Sequence, residues 1–368
     1  MDITSAKRVI ESRYSGNMRP QRGRHTVTDF ELVKTIGKGA FGVVHVAREL
    51  KTKRVIALKI MSKTALCESG TAATVHTELQ VLARVAAAND SSRFLSSPTH
   101  MFSDNDLLCI GMNYMRGGDL MGLLIKRDIF SVEETRFYMA QLICAVAELH
   151  ALGFMHRDIK PDNIFLDSRG CIKLGDFGLC KQIQSTLRLS TQSDGSTRMS
   201  GADGKTFTIV GTLDYMAPET IRSIGYDNSV DLWAVGVIAY ECLVGHAPFF
   251  AESQHDTAQK IATFVSPISF SCDDIQCRSF VNNLICDANI RMNADAAKAH
   301  AFLTNVDWSF SRPPFIPSRA EDTDTSNFDE FELVPPIVRK NADPLVASIF
   351  KATPFAISSS LDDLTIVA

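Results

Sequence analysis

The sequence has no C-x-x-C pair. Its nine cysteines are scattered without regular spacing, which is the habit of reduced thiols in the cytosol or nucleus and not of a disulfide framework. It also lacks a strong charge of either sign, with a formal net charge of −4, and this argues against general affinity for nucleic acid. The opening residues, MDITSAKRVIESRY, contain no apolar core, so no signal peptide is expected. There is no long uninterrupted hydrophobic run: the most apolar stretch, Leu232–Phe250, is bordered by Asp231 and broken by Glu241. It reads as a buried central helix and not as a membrane span. Internal repeats are absent. What is present is size and apolar content, 368 residues of which 45% are hydrophobic, enough for two lobes with packed cores.

The chain is organised around HRDIKPDNIFLDSRGCIKLGDFG, from His156 to Gly178. Asp158, Lys160 and Asn163 fall in one short loop. A hairpin follows, Asn163–Asp167 then Cys171–Leu174, turned at Ser168-Arg169-Gly170, and after it comes Asp176. This order resembles the H-R-D-x-x-x-x-N catalytic loop and the D-F-G motif of protein kinases. The chemistry accounts for the spacing. Phosphoryl transfer needs a carboxylate to receive a hydroxyl proton, oxygen ligands for Mg²⁺, and a cation beside the moving phosphoryl group. Asp158 is placed for the first task, Asn163 and Asp176 for the second, and Lys160 for the third.

Upstream, LVKTI (Leu32–Ile36), VVHVA (Val43–Ala47) and VIALKI (Val55–Ile60) read as strands. Between the first two lies IGKGAFGVV, in which Gly37, Gly39 and Gly42 permit close approach of backbone N–H groups to phosphates. Alone, G-x-G-x-x-G is equally a hairpin turn or a dinucleotide fingerprint, but here a strand follows it and not a helix. Val44 is placed to cover an adenine. Lys59 shares a strand face with Val55 and Ala57, so its ammonium needs an anionic partner. Glu78, on a helix with Val75, Leu79, Leu82 and Ala86, fits that need; the plain alternative is a solvated lysine and an unrelated glutamate. Leu107–Met112 reads as a further strand, followed by a Gly117-Gly118 hinge whose backbone near Asn113 and Met115 would bind adenine, with Met112 behind. Ser131-Val-Glu-Glu134 is a capping box, and Tyr138, Leu142, Ala145, Val146 and Leu149 form the buried stripe of its helix. Residues 180–207, rich in Ser, Thr and Gly, read as a flexible segment ahead of KTFTIVGTLDYMAPE. Residues 1–28 hold Lys7, Arg8, Arg13, Arg19, Arg22 and Arg24, either a solvated tail or a basic docking arm. After Leu303 the chain turns Pro-rich and acidic, as a tail wrapping a surface would.

Across Phe30 to about Leu303 these motifs together resemble a eukaryotic protein kinase. HRDIKPDN, DFGLC, GGDLMGLL, LICDANIRM (284–292), HAFLTNVDW (300–308) and DTSNFDEF (324–331) resemble the AGC group and its NDR/LATS family. The resemblance implies an α+β bilobal fold: a basic segment over 1–29, a kinase domain over 30–303 and an AGC-type tail over 304–368. The domain would divide into a β-rich lobe (30–116) and a helical lobe (117–303), with the activation segment at 176–219. The implied activity is transfer of the ATP γ-phosphate to Ser or Thr of protein substrates, with ATP and Mg²⁺ as cofactors. Asp158 would be the catalytic base, Lys160 the transition-state cation, and Asn163 and Asp176 the metal ligands. Ile36, Gly37, Lys38, Gly39, Ala40, Phe41, Gly42, Val43, Val44, Ala57, Lys59, Glu78, Met112, Asn113, Met115 and Phe165 would surround the nucleotide.

By the same resemblance Glu219 pairs with Arg291, and Thr208 is an activation-loop phosphosite received by Arg157 and Lys181. Asp119, Asp162 and Glu241 would read basic residues in the substrate. A Mob-type co-activator and an upstream activating kinase are the implied partners, in the cytosol or nucleus. The segment before residue 30 is shorter than the family's Mob-binding region, and the insert before Thr208 is only mildly basic. In the tail Phe328-Asp-Glu-Phe331-Glu332 imitates the hydrophobic motif, but DTSNFDEF resembles the family's acidic segment ahead of it, which implies a degenerate motif at VASIFK (346–351), where Phe350 stands in place of a phosphorylatable hydroxyl. An active protein kinase competes with a pseudokinase scaffold and with a small-molecule kinase. Presence of Lys59, Glu78, Asp158, Asn163 and Asp176 disfavours the scaffold, and the A-P-E segment disfavours the small-molecule enzyme.

Overall fold

Strand-forming residues from Phe30 onward assemble an antiparallel sheet in the computed structural model. The structure describes residues 25–39, 42–88, 92–104, 106–183, 189–191, 197–199, 205–318 and 321–334. The sheet contains β1 (Phe30–Gly39), β2 (Gly42–Glu49), β3 (Val55–Ser62), β4 (Pro98–Asp104) and β5 (Leu107–Asn113), in the order β1-β2-β3-β5-β4. Register sets Val44 opposite Lys59 and Ala57 opposite Met112, so glycine loop, lysine and hinge entry line up across neighbouring strands. One face buries Phe30, Ile56, Leu58 and Phe102, with the rings of Phe30 and Phe102 stacked at 5.6 Å. The helices α1 (Lys63–Glu68) and α2 (Ala72–Ala87) close this lobe. Leu79 and Leu82 of α2 are buried, at roughly 1.5–3 kcal/mol for each such side chain.

The second lobe is helical. It opens with α3 (Leu120–Arg127), capped by Asp119, whose side chain accepts from the Gly122 N–H at 2.8 Å. Next is α4 (Val132–Ala151), with the expected reciprocal capping box between Ser131 and Glu134. Tyr138, Leu142, Ala145, Val146 and Leu149 are all buried, as their spacing predicts. The loop elements follow: β6 (Phe154–Met155), β7 (Ile164–Leu166), β8 (Ile172–Leu174) and β9 (Lys181–Gln182). Short strands β10 (Leu189–Thr191) and β11 (Thr197–Met199) pair where the sequence predicts no regular structure; three-residue strands carry too little periodicity to read.

The A-P-E turn begins α5 (Pro218–Ile221), and the apolar stretch forms α6 (Ser229–Val244). Hydrophobic on all sides, α6 is buried from Val230 to Cys242. It ends at Gly245, whose φ of +90° suits the left-handed cap, so the apolar run outlasts the helix. Around it stand α7 (Gln254–Ala262), α8 (Ile275–Leu284) and α9 (Ala294–Lys298). Among the described residues no helix is long and apolar enough to cross a membrane.

Beyond Leu303 the chain runs back over both lobes. An alanine Cβ at Gly170 would fall 1.7 Å from the Phe315 carbonyl oxygen, and one at Gly118 would fall 2.5 Å from that of Asn327. The Asn327 side chain donates to the Arg116 carbonyl at 2.8 Å and accepts from Lys126 at 2.7 Å. Phe328 stacks on Tyr114 at 5.6 Å, and the Tyr114 hydroxyl donates to the Asp324 carbonyl at 2.5 Å. Arg48 pairs with both Asp322 oxygens at 3.0 Å, and Val334 N–H reaches Thr35 at 3.1 Å. Of the two candidate tail motifs, the one containing Phe328 therefore lies against the hinge. VASIFK with Phe350 lies outside the described residues, as do residues 1–24.

Candidate active site

Ile36, Gly37, Lys38 and Gly39 end β1, while Gly42, Val43 and Val44 open β2; Ala40 and Phe41 lie outside the described residues. The glycines are not equivalent. A Cβ at Gly42 would sit 2.4 Å from the Ile60 carbonyl, so packing alone requires that glycine. At Gly39 the nearest atom would be 4.0 Å away, and at Gly37 3.7 Å. Their missing side chains leave open backbone, which is the surface a phosphate chain can approach. On the other wall Ala57 and Met115 are buried, Met112 and Phe165 are half-buried, and Asn113 is exposed with its side chain taken by Arg54 at 2.5 Å.

Lys59 meets Glu78 of α2, with Nζ 2.7 and 2.9 Å from the two carboxylate oxygens. Burial depresses the lysine's basicity, but the charges of Glu78 and Asp176 and the Glu78 hydrogen bond outweigh it, so its pKa ends above the usual value. The ammonium stays charged beside Glu78. Asp176 adopts φ +55°, ψ +74° and is exposed, while the neighbouring Phe177 is buried. Backbone strain at a residue of this kind is held only by its surroundings, here His156 packed on the Phe177 ring at 5.9 Å.

The loop from His156 to Asn163 hangs from α6. Asp231 accepts the His156 and Arg157 N–H groups at 2.8 and 2.9 Å, and also pairs with His150 at 2.7 Å. Burial pushes the Asp231 carboxyl pKa up, but the His150 hydrogen bond and the nearby histidine charges carry it below the usual value. Asp158 is held on both oxygens. Its Oδ1 accepts the Thr212 N–H at 2.8 Å and hydroxyl at 2.9 Å. Its Oδ2 lies 3.1 Å from Lys160 Nζ and 3.2 Å from Asn163 Nδ2. Lys160 donates on to the Thr212 hydroxyl at 2.8 Å. The Asn163 amide nitrogen is also committed to the Asp158 carbonyl at 2.9 Å, which leaves its amide oxygen as the ligand it can offer. That oxygen and the Asp176 carboxylate are hard donors of the kind Mg²⁺ takes. Thr212 was not anticipated from the sequence. Its only signal there is a hydroxyl residue directly after Gly211, and its role depends on a contact spanning 54 residues.

Thr208 is exposed on the activation segment. Its carbonyl accepts the Tyr226 hydroxyl at 2.6 Å, and that hydroxyl accepts Arg157 at 3.3 Å. Lys181 stands close enough to Arg157 that burial, and then the arginine's charge, lower its pKa. Arg157 thus sits one hydrogen-bonded residue from Thr208, with Lys181 in its field. Glu219 and Arg291 form the ion pair at 2.6 and 3.2 Å.

The acidic trio divides. Asp162 is exposed, Asp119 spends one oxygen on capping α3, and Glu241 is buried and accepts the Tyr215 hydroxyl at 2.8 Å. Burial raises the pKa of both Asp119 and Glu241, and the Asp162 charge adds to each rise. Asp162 therefore sits in the field of both.

Residues 30–303 match the protein kinase domain family. The chain is 34% identical over 354 residues to the serine/threonine-protein kinase sax-1 of Caenorhabditis elegans, covering 88% of this chain and 73% of that protein. It is 34% identical over 369 residues to the serine/threonine-protein kinase CBK1 of Pneumocystis carinii, covering 89% and 72%. With the probable serine/threonine-protein kinase ndrB of Dictyostelium discoideum it shares 32% identity over 364 residues, covering 89% and 67%.

Proposed function

This chain belongs to the protein kinase family and is a serine/threonine kinase of NDR/LATS type; from that premise we propose that it phosphorylates proteins carrying a basic residue shortly before the acceptor. The observation behind the substrate preference is the cluster of Asp119, Asp162 and Glu241, in which burial first and the Asp162 charge next raise the pKa of both Asp119 and Glu241. Such a cluster gains most when an arginine or lysine of the substrate neutralises it. Asp162 is the exposed member and makes first contact; Asp119 and Glu241 supply field from behind.

Residues of the cleft fit ATP and Mg²⁺, which supply the transferable phosphoryl group and the cation that draws charge from it. Open backbone at Gly37 and Gly39 receives the phosphates, and Lys59, fixed by Glu78, holds them. Asn163 and Asp176 would hold the metal. Asp158, oriented through Thr212, takes the proton of the acceptor hydroxyl, while Lys160 sits beside the same carboxylate to stabilise the transferring group. An upstream kinase would act at Thr208, adding about −1.5 to −2 charges opposite Arg157 and Lys181. The basic residues before position 25 would serve as the arm for a Mob-type co-activator, and residues 304–368 as an AGC-type tail.

An oriented peptide library tests the preference. Arg or Lys should be enriched upstream of the phosphorylated Ser or Thr, and Asp162→Ala should weaken that enrichment; a library with no basic preference would refute the reading. In the same assay Asp176→Asn should lose at least ~10³-fold in turnover, the scale of removing a major electrostatic term. Retention of a tenth of the activity would overturn the metal assignment.

A further inference from the structure

We propose that His25, Glu49 and His100 form a site for one divalent transition-metal ion, zinc by preference, which clips the segment entering the small lobe onto its sheet. The three come from separate elements: His25 precedes β1, Glu49 ends β2 and His100 lies in β4. One ligand atom from each lies within 4.8 Å of the others. The site is on the outer face of the sheet, among Phe30 and Phe102, away from the cleft.

Each fixed ligand has its second polar atom already engaged, which aims the first one inward. His100 Nδ1 is 3.1 Å from the Thr99 hydroxyl, and its Nε2 is 3.9 Å from Glu49 Oε1. Glu49 Oε2 accepts the Thr52 hydroxyl. Outer-shell bonds of this kind fix the orientation and basicity of metal ligands. The His25 ring lies edge-on to His100, centroids 4.9 Å apart, with Asp29 3.8 Å from its Nδ1 as a second carboxylate.

The donor set decides the metal. Two imidazoles and a carboxylate suit zinc and its neighbours, whereas Mg²⁺ and Ca²⁺ prefer all-oxygen shells. Tetrahedral bonds of ~2.0–2.1 Å put ligand atoms about 3.4 Å apart, so the set must contract from 4.8 Å. His25 can supply that movement, because its side chain is 26% exposed while those of Glu49 and His100 are 5% and 1%. Three protein ligands leave a fourth position for water.

The test uses the full chain stripped with EDTA and titrated with zinc alone, then with cobalt alone. One equivalent of zinc should bind and raise Tm by several degrees, as a ligand specific to the folded state does. Cobalt should give four-coordinate visible bands without thiolate charge transfer. His25→Ala replaces a half-exposed residue, so it should fold normally by circular dichroism yet lose at least ~10-fold in zinc affinity; Glu49→Gln should do the same. Three results would overturn the proposal: no zinc binding tighter than about 10⁻⁴ M, unchanged affinity in folded His25→Ala, or a thiolate signature placing the metal on the cysteines. The kinase assay is not needed for any of these readouts.

Discussion

Replacing Glu219 by glutamine should destabilise the helical lobe severely, because it leaves a buried guanidinium without its counter-charge. The Arg291 side chain has 0% exposure and that of Glu219 9%. The native pair is bidentate at 2.6 and 3.2 Å, and the same two terminal nitrogens also donate to the Cys286 and Ser229 carbonyls at 2.9 and 3.2 Å, while the buried Nε–H has no hydrogen-bond partner among the described residues. The guanidinium also lies 5.1 Å above the ring of Trp233. Glutamine keeps the shape and one acceptor but removes the charge, and breaking such a pair from one side costs about 3–5 kcal/mol. The retained carbonyl contacts place the cost near the lower end, ~3 kcal/mol, and at ~2–4 °C per kcal/mol Tm should fall by ~6–12 °C. Urea unfolding followed by tryptophan fluorescence gives the equilibrium counterpart. In the double variant Glu219→Gln/Arg291→Met no unpaired charge remains, so its cost should be at least ~1 kcal/mol less than the sum of the single costs. A Tm drop below 2 °C for Glu219→Gln, or strict additivity in the cycle, would refute the reasoning.

Thr212→Val should lower kcat by up to ~10²-fold through misplacement of Asp158, while Thr212→Ser restores it and far-UV circular dichroism shows both variants folded. Thr208→Ala should cost at least ~10-fold in activity relative to the phosphorylated enzyme, since even one charge-assisted bond contributes ~1.5–3 kcal/mol; Ser348→Ala in the tail should change little, and the reverse ranking in steady-state assays would count against control at Thr208. Asp231 carries a depressed folded-state pKa against an ordinary 3.8, so its stabilising contribution is complete above that value and is lost as pH falls through the lower one. Asp231→Asn should therefore be less stable than wild type at pH 6, with the gap shrinking below about pH 4 in acid-unfolding curves; a gap that stays constant to pH 2 would exclude the linkage.

The strands and the motif loop were legible because their signals are local. Val55, Ala57 and Lys59 alternate within one strand, Ser131 and Glu134 cap one helix, and the hairpin spacing carries Asn163 to Asp176. Long-range partners were legible only by resemblance: nothing in the residues around Glu219 points to Arg291, 72 positions away. Thr212 escaped because its importance lies in Asp158 and Lys160, which only the fold brings to it. Helix α1 and strand β4 were missed as well. Lys63–Glu68 is too short to show a helical period, and Pro98–Asp104 begins with a residue that argues against a strand. The acidic trio came from resemblance alone, and the structure separates its members: Asp162 is exposed, Asp119 caps a helix and Glu241 accepts the Tyr215 hydroxyl.

The route of the chain beyond Leu303 leaves a constraint on how this sequence can vary. Gly170 has φ +85° and would place a Cβ 1.7 Å from the Phe315 carbonyl; Gly118 has φ +72° and meets the Asn327 carbonyl at 2.5 Å. Asparagine relieves the backbone penalty of a left-handed turn, but it brings a Cβ all the same and so gains nothing at either position while the tail lies there. Substitutions at these glycines are thus constrained twice: the positive φ penalises most side chains wherever the tail lies, and asparagine, which tolerates that φ, is still harmful while the tail is seated. Among descendants of such a sequence, a change in the tail's path must come first, and the turn glycines are open to asparagine only afterwards.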